Sequence, residues 1–303
     1  MTVLASLNQN FAMEGLLDFS LSPEGAVIAN IDNDFASAKI SISGGHLLTW
    51  QPKDQAQPVI WLSEQAKVIQ GKSIRGGIPI CWPWFGAHSD NSSFPGHGYA
   101  RTANWLVTET AALASGETSI ELTLEENEKY ESFWPYATPL TLRITIGQHL
   151  KIALTTQNDS ADSITITEAL HSYFHISDIS KVNVTGLENC QYLDKVENFS
   201  TNTQKDAIHF NSETDRVYIN TQAECVINDP ELQRRIYIAK SASASTIVWT
   251  PWENKANAMG DLGDNAGWRR MLCVESANAL DNAVTIKSGE SHSLSIEYWA
   301  EAM

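Results

Sequence analysis

Residues 139–158, PLTLRITIGQHLKIALTTQN, set the narrowest limit on what this chain can become. Leu140, Leu142, Ile144 and Ile146 occupy alternate positions with Thr and Arg between them, and the alternation resumes at Leu150, Ile152 and Leu154 beyond Gly147. A repeat of two puts every apolar side chain on one face of an extended chain. The segment is therefore expected to be an antiparallel hairpin with one buried and one wet face. Shorter runs of the same kind recur at 38–50, 104–110, 118–127, 163–174, 181–187, 216–221, 234–240, 245–250, 270–276 and 293–299. Helical periodicity is scarce, and WLSEQAKV (61–68) suggests no more than a short turn. Strands separated by turns, with no regular helices between them, argue against a βαβ fold and predict a large antiparallel β-sandwich. With no repeat, low-complexity tract or linker-like break, the whole chain 1–303 is read as one all-β domain.

Charge narrows the function. The formal net charge is -16 with only 20 Lys+Arg, which argues against nucleic-acid or anionic-membrane binding, since both need basic surface. An anionic ligand would need a few local cations to overcome that field, so arginines in constrained loops stand out. The N-terminus lacks the charged start and apolar core of a signal peptide, and no apolar run approaches a membrane span. Cys81, Cys190, Cys225 and Cys273 are scattered, with no CxxC pair, which fits reduced thiols in the cytoplasm. No phosphate-loop or dinucleotide motif appears, and no cofactor is expected. The ten tryptophans can line a sugar cleft or fill the core; core packing is the commoner use. A monomer is the default expectation.

Three stretches are not plain strands. Residues 76–105, GGIPICWPWFGAHSDNSSFPGHGYARTANW, are too broken by Pro and Gly for a helix and too aromatic for a linker. They carry Arg101 and follow Arg75 directly. Glycine lets backbone approach a ligand, and an adjacent arginine can clamp an oxyanion with a forked pair of donors. The plainer reading makes both arginines surface residues beside turns. In EALHSYFHISDI (168–179), His171 and His175 are four apart, a metal-binding spacing on a helix. A Thr/Ile-rich strand precedes them, however, and no Glu or Cys stands in HExxH-like spacing, so no metal site is expected. In the third stretch, 250–276, Glu275 follows MLCV. There it is either a solvent-facing end residue or a buried acid, and buried carboxyls are rare without a task or a partner.

Five motifs in order, RGGIPICWPWFG, HGYAR, LHSYFHISDI, TPWENKANAMGD and WRRMLCVESAN, resemble those of the hexose-6-phosphate mutarotases (glucose-6-phosphate 1-epimerases), a branch of the aldose 1-epimerase superfamily. The similarity runs from about residue 40 to near the C-terminus. It implies the galactose-mutarotase type of β-sandwich and a small-molecule sugar-phosphate substrate. It also implies roles for particular residues: His171 and Glu275 as the catalytic pair, Arg75 and Arg101 at the phosphate, Asp194 as a substrate-binding acid, and His97 in the sugar-facing loop. Two departures bear on sugar selectivity: Gly96 where relatives often carry a polar side chain, and Thr250 where they commonly have Asn.

The implied chemistry suits these residue types. Exchange of α and β anomers opens the ring: a base takes the C1 hydroxyl proton, an acid protonates the ring oxygen, and the C1–O5 bond breaks to an aldehyde. Rotation about C1–C2 and closure with the roles reversed gives the other anomer. The reaction needs one acid and one base near neutral pH, with His171 suited to the first and Glu275 to the second. The alternatives are an aldose 1-epimerase for unphosphorylated sugars and a non-catalytic sugar-phosphate-binding protein.

Overall fold

The alternation in residues 139–158 becomes a hairpin of strands Leu140–Ile146 and Leu150–Gln157, with Leu142 opposite Leu154 and Ile144 opposite Ile152. Leu140, Leu142, Ile144, Ile146, Leu150, Ile152 and Leu154 are all buried. In this computed structural model, which describes residues 2–262 and 266–303, the hairpin sits inside a nine-stranded antiparallel sheet. An eight-stranded sheet covers it, and a four-stranded sheet of residues between Leu17 and Pro52 adjoins them. Side chains cross between the two large sheets: Trp82 Nε1 donates to Thr156 Oγ1 at 2.9 Å, Ser172 and Tyr298 share a 2.8 Å hydrogen bond, and Phe174 packs edge-on against Tyr298. One continuous apolar core fills the space between them, so the expected sandwich is the architecture found. Burial by apolar area, at roughly 25 cal/mol per Å², is the main force holding the layers together.

Among the described residues helix is confined to Val3–Phe11 and Trp252–Met259 apart from short 3₁₀ turns; neither helix stood out in the residue pattern. Residues 61–68 form a turn and irregular chain, as expected. No helix among the described residues is long and apolar enough to cross a membrane. Seven of the tryptophans are buried (Trp50, Trp61, Trp82, Trp84, Trp105, Trp249 and Trp268), and all four cysteines are free thiols.

The eight-stranded sheet positions the site through one irregularity. Strand Met271–Asn278 is paired on one side by Ser245–Thr250. Its other side is shared by two short strands, Glu168–Leu170 opposite Ser276–Asn278 and Tyr173–His175 opposite Met271–Cys273. Between these short strands the chain leaves the ladder at His171 and Ser172, beside Val274 and Glu275. The register also sorts faces. Asp215, Trp249, Cys273 and Tyr173 lie in one row across the sheet, with Ile247 and Glu275 in a second row on the same face. Residues of the opposite parity turn toward the nine-stranded sheet.

Candidate active site

Glu275 lies within its strand rather than at the end, fully enclosed at 1% exposure. His171 Nδ1 is 3.4 Å from Glu275 Oε1. The imidazole is fixed by its surroundings: it stacks on Tyr173 (centroids 4.8 Å apart, planes 7° apart) and meets Trp249 edge-on. The 76–105 stretch fixes the backbone here, since the His171 N–H donates to the Pro79 carbonyl and that of Tyr173 to the Gly77 carbonyl. Gly77 has φ +68°, and a Cβ on it would overlap the Leu47 carbonyl oxygen and the His46 ring. Only glycine lets this loop lie so close to the strand beneath it. His46, fully buried, holds the same loop through Nε2 to the Gly76 carbonyl at 2.8 Å.

Arg75 leaves that loop toward the dyad. Its Nη1 donates to Tyr173 Oη and its Nε to Asp261 Oδ2, both at 3.0 Å, which links His171, Tyr173, Arg75 and Asp261 in sequence. Arg101 is held differently. Among the described residues its side chain makes one hydrogen bond, from Nη2 to the Gly96 carbonyl at 2.7 Å. The ring of His97 is 5.9 Å from that of His171. Its φ is +65°; its N–H donates to the Gly86 carbonyl while its Nδ1 accepts from the Gly86 N–H at 3.3 Å. That pairing leaves Nε2 as the protonated nitrogen.

Charge and burial push the titrating groups toward their neutral forms. Enclosure lifts the Glu275 carboxyl well above the usual carboxylate range, and nearby Asp215 adds to the rise while Lys195 opposes it. Enclosure likewise holds His171 well below an ordinary histidine, helped by His97, Arg101 and Arg75. His97 is pulled down to about 3 by burial and then by Arg101, Lys195 and Arg75. Three cations thus converge on one imidazole in an otherwise acidic protein.

Asp194 stands apart from this group. It pairs with Arg216 in register, and its Oδ2 accepts from Arg216 Nε at 3.4 Å on the face opposite Asp215 and Glu275. Its Oδ1 accepts the Val196 N–H and its carbonyl the N–H groups of Glu197 and Phe199, so it shapes a turn. The next residue takes the other face: Lys195 Nζ is 3.0 Å from Asp215 Oδ2. Lys195 and Asp215 were not singled out by sequence reasoning, although strand alternation beside Asp194 carries that signal. His175 is also separate, with its carbonyl accepting from buried Arg234 at 2.6 Å. Thr250 is fully buried with Oγ1 enclosed, whereas Gly96 is exposed and its nearest neighbour, the Gly86 carbonyl, lies 3.8 Å from where a Cβ would be. Of the two departures, position 96 has room for a larger side chain. In the third irregular stretch, residues 263–265 lie outside the described residues.

The fold class is that of galactose mutarotase-like proteins: a solved structure of such a protein from Clostridium acetobutylicum superposes with TM-score 0.72 at 12% identity, over 95% of this chain and 99% of that one. The chain belongs to the aldose 1-epimerase family, whose model matches residues 28–299, and it is an epimerase. A mutarotase of Salmonella typhimurium, provisionally so named, superposes with TM-score 0.89 at 28% identity, covering 97% of this chain and 96% of that one. Proteins provisionally named glucose-6-phosphate 1-epimerase match at 34% identity in Escherichia coli K12 (86% of each chain) and at 36% in Cenchrus ciliaris (84% of this chain, 78% of that one).

Proposed function

We propose that the protein interconverts the α and β anomers of glucose 6-phosphate and related hexose 6-phosphates, with His171 and Glu275 moving the protons and Arg75 and Arg101 receiving the phosphate. The observation that carries this reading is the enclosed His171–Glu275 pair, 3.4 Å apart, beside arginines that are scarce elsewhere in the chain. The names of the relatives support the same substrate class.

Burial favours the neutral imidazole at His171 and the protonated carboxyl at Glu275. One proton transfer from Glu275 to His171 gives the carboxylate and imidazolium that ring opening requires. Phosphate supplies a reason for that transfer. A dianion on Arg75 and Arg101 offsets two of the charges that hold His171 down, which favours imidazolium when the substrate arrives. Glu275 then accepts the O1 proton, His171 donates to O5, and the C1–O5 bond breaks to the aldehyde. After rotation about C1–C2, O5 attacks the other face of C1, giving its proton back to His171 while Glu275 returns one to O1. We assign Lys195 and Asp215, paired on the same face, to contacts with the sugar hydroxyls. Asp194 acts on the site through its turn, which directs Lys195 toward Asp215.

The test is anomer exchange of glucose 6-phosphate by NMR. Wild type should exceed His171→Asn and Glu275→Gln by about 10²–10⁴-fold each. Equal rates in the three proteins would remove the proposal, and calorimetric binding without exchange would favour a sugar-phosphate-binding role.

A further inference from the structure

A third group with metal-binding chemistry stands at the proton-transfer pair. Cys273 and Glu275 occupy alternate positions of strand Met271–Asn278 and face the same way, with His171 against them. One ligand atom from each, an imidazole nitrogen, a thiol sulfur and a carboxylate oxygen, lie within 4.8 Å of one another. Tetrahedral zinc, with bonds of about 2.0–2.3 Å, holds its ligand atoms about 3.3–3.8 Å apart. The His171–Glu275 separation of 3.4 Å is already in that range, and the widest separation in the trio needs to close by only about 1 Å, which small side-chain rotations supply. Two of the atoms here, His171 Nδ1 and Glu275 Oε2, are also buried with no hydrogen bond. Leaving a buried polar atom without a partner is unfavourable, and a bound cation satisfies both.

We propose that His171, Cys273 and Glu275 form an inhibitory site for a thiophilic divalent cation, with Zn²⁺ the best match. Three protein ligands leave a fourth position for water or a sugar hydroxyl. The mixed nitrogen, sulfur and oxygen set selects Zn²⁺ over Mg²⁺ and Ca²⁺, which require oxygen ligands. The Cys273 thiol proton, and the carboxyl proton where Glu275 holds one, pass to solvent as the metal binds. Occupancy removes both proton-transfer groups at once. The binding half of this inference stands on geometry alone; the inhibitory half rests on the roles proposed for His171 and Glu275.

Co²⁺ added to the intact protein tests the binding half without any catalysis. Wild type should show a near-ultraviolet thiolate-to-cobalt charge-transfer band and the visible bands of tetrahedral Co²⁺, both displaced by Zn²⁺ and insensitive to Mg²⁺. Absence of the thiolate band in wild type overturns the site. Cys273→Ser should lack that band and keep the metal-free exchange rate. Its half-inhibiting Zn²⁺ concentration should rise by at least the roughly 10–100-fold that loss of a mere outer-shell partner costs. Equal Zn²⁺ sensitivity in wild type and Cys273→Ser overturns the inhibitory role. If the serine variant does not fold, Cys273→Ala and the wild-type spectrum carry the test. A normal Co²⁺ spectrum in a protein without metal-free exchange activity would refute the function proposed above while leaving the metal site intact.

Discussion

Replacing Arg101 with Ala should separate phosphorylated from free sugar. The two arginines are unequally free to receive an anion: Arg75 already donates to Tyr173 and Asp261, whereas Arg101 gives one nitrogen to the Gly96 carbonyl. The remaining donors of Arg101 are available for a phosphate. A hydrogen bond to a charged group contributes about 1.5–3 kcal/mol, and Arg101 is only half-buried, so solvent screening places the loss at the low end of that range. About 1.5–2 kcal/mol corresponds to a KM for glucose 6-phosphate raised roughly 10–30-fold. For free glucose, which offers no charge, KM should change less than about twofold, since uncharged contacts elsewhere in the site are untouched.

The same substitution has a second, independent readout. Arg101 is one of the charges holding His171 and His97 down. Removing it should move the acidic limb of the kcat/KM profile for free glucose to higher pH. Arg75→Ala, by contrast, strips Tyr173 and Asp261 of a partner, and Tyr173 is the ring on which His171 stacks. It should lower kcat for both sugars as well as raise KM. Steady-state anomer exchange on both substrates, repeated at higher salt to screen the arginine contribution, decides the matter. Equal KM effects of Arg101→Ala on phosphorylated and free sugar would refute the phosphate assignment.

Stability should respond to the same groups. Glu275 has its folded pKa raised, so its contribution is fully present below its unfolded value and is lost as pH rises through the folded one. Glu275→Gln should therefore gain on wild type in thermal melts as pH rises from 4 to 8; a flat or falling difference contradicts the enclosed-acid reading. His97 has its folded pKa depressed to about 3, so its contribution is present above the unfolded value near 6.5 and is lost as pH falls toward 3. Each such histidine adds a slope of about 1.4 kcal/mol per pH unit in that window, and His97→Gln should make acid unfolding measurably less steep in urea titrations. Gly77→Ala forces a side chain onto φ +68° and into the Leu47 carbonyl. It should cost at least about 1–3 kcal/mol of strain, read as a lower urea midpoint, and should raise KM by displacing Arg75.

Much of the sandwich was legible because strands with one buried face advertise themselves. In residues 139–158 every apolar position of the alternation is buried, and the turn falls between the strands at Gly147. Helix Trp252–Met259 was not legible, because only Ala256 is buried along it and no apolar stripe forms. Motifs brought His171, Glu275, Arg75, His97 and Arg101 into one list, and the fold brings His171 against Glu275, Arg75 onto Tyr173 beside His171, and the His97 ring to 5.9 Å from that of His171, through long-range pairing that no local pattern encodes. Asp194 shows where such a list loses resolution. A motif identifies a strand end, but adjacent residues on a strand face opposite ways. One step along the chain therefore separates a residue bound to Arg216 behind the sheet from Lys195, which reaches Asp215 on the site face.

That step bears on how a protein of net charge -16 can hold an anion. Its long-range field repels a sugar phosphate, but screening limits that field to about 10 Å at ordinary ionic strength, and inside that radius the local inventory decides. Arg75, Arg101 and Lys195 all act on His97, while two of them are offset by their own carboxylates, Asp261 and Asp215. Arg101 alone among the three has no carboxylate partner among the described residues. With Arg75 and Lys195 offset in this way, the phosphate role proposed for Arg101 would draw on the one cation of the three that no carboxylate neutralises among the described residues. A dianion that recruits Arg101 and competes with Asp261 for Arg75 would loosen the restraint on Tyr173 and relieve the charge on His171 together, which ties phosphate recognition to the protonation of the group that opens the ring.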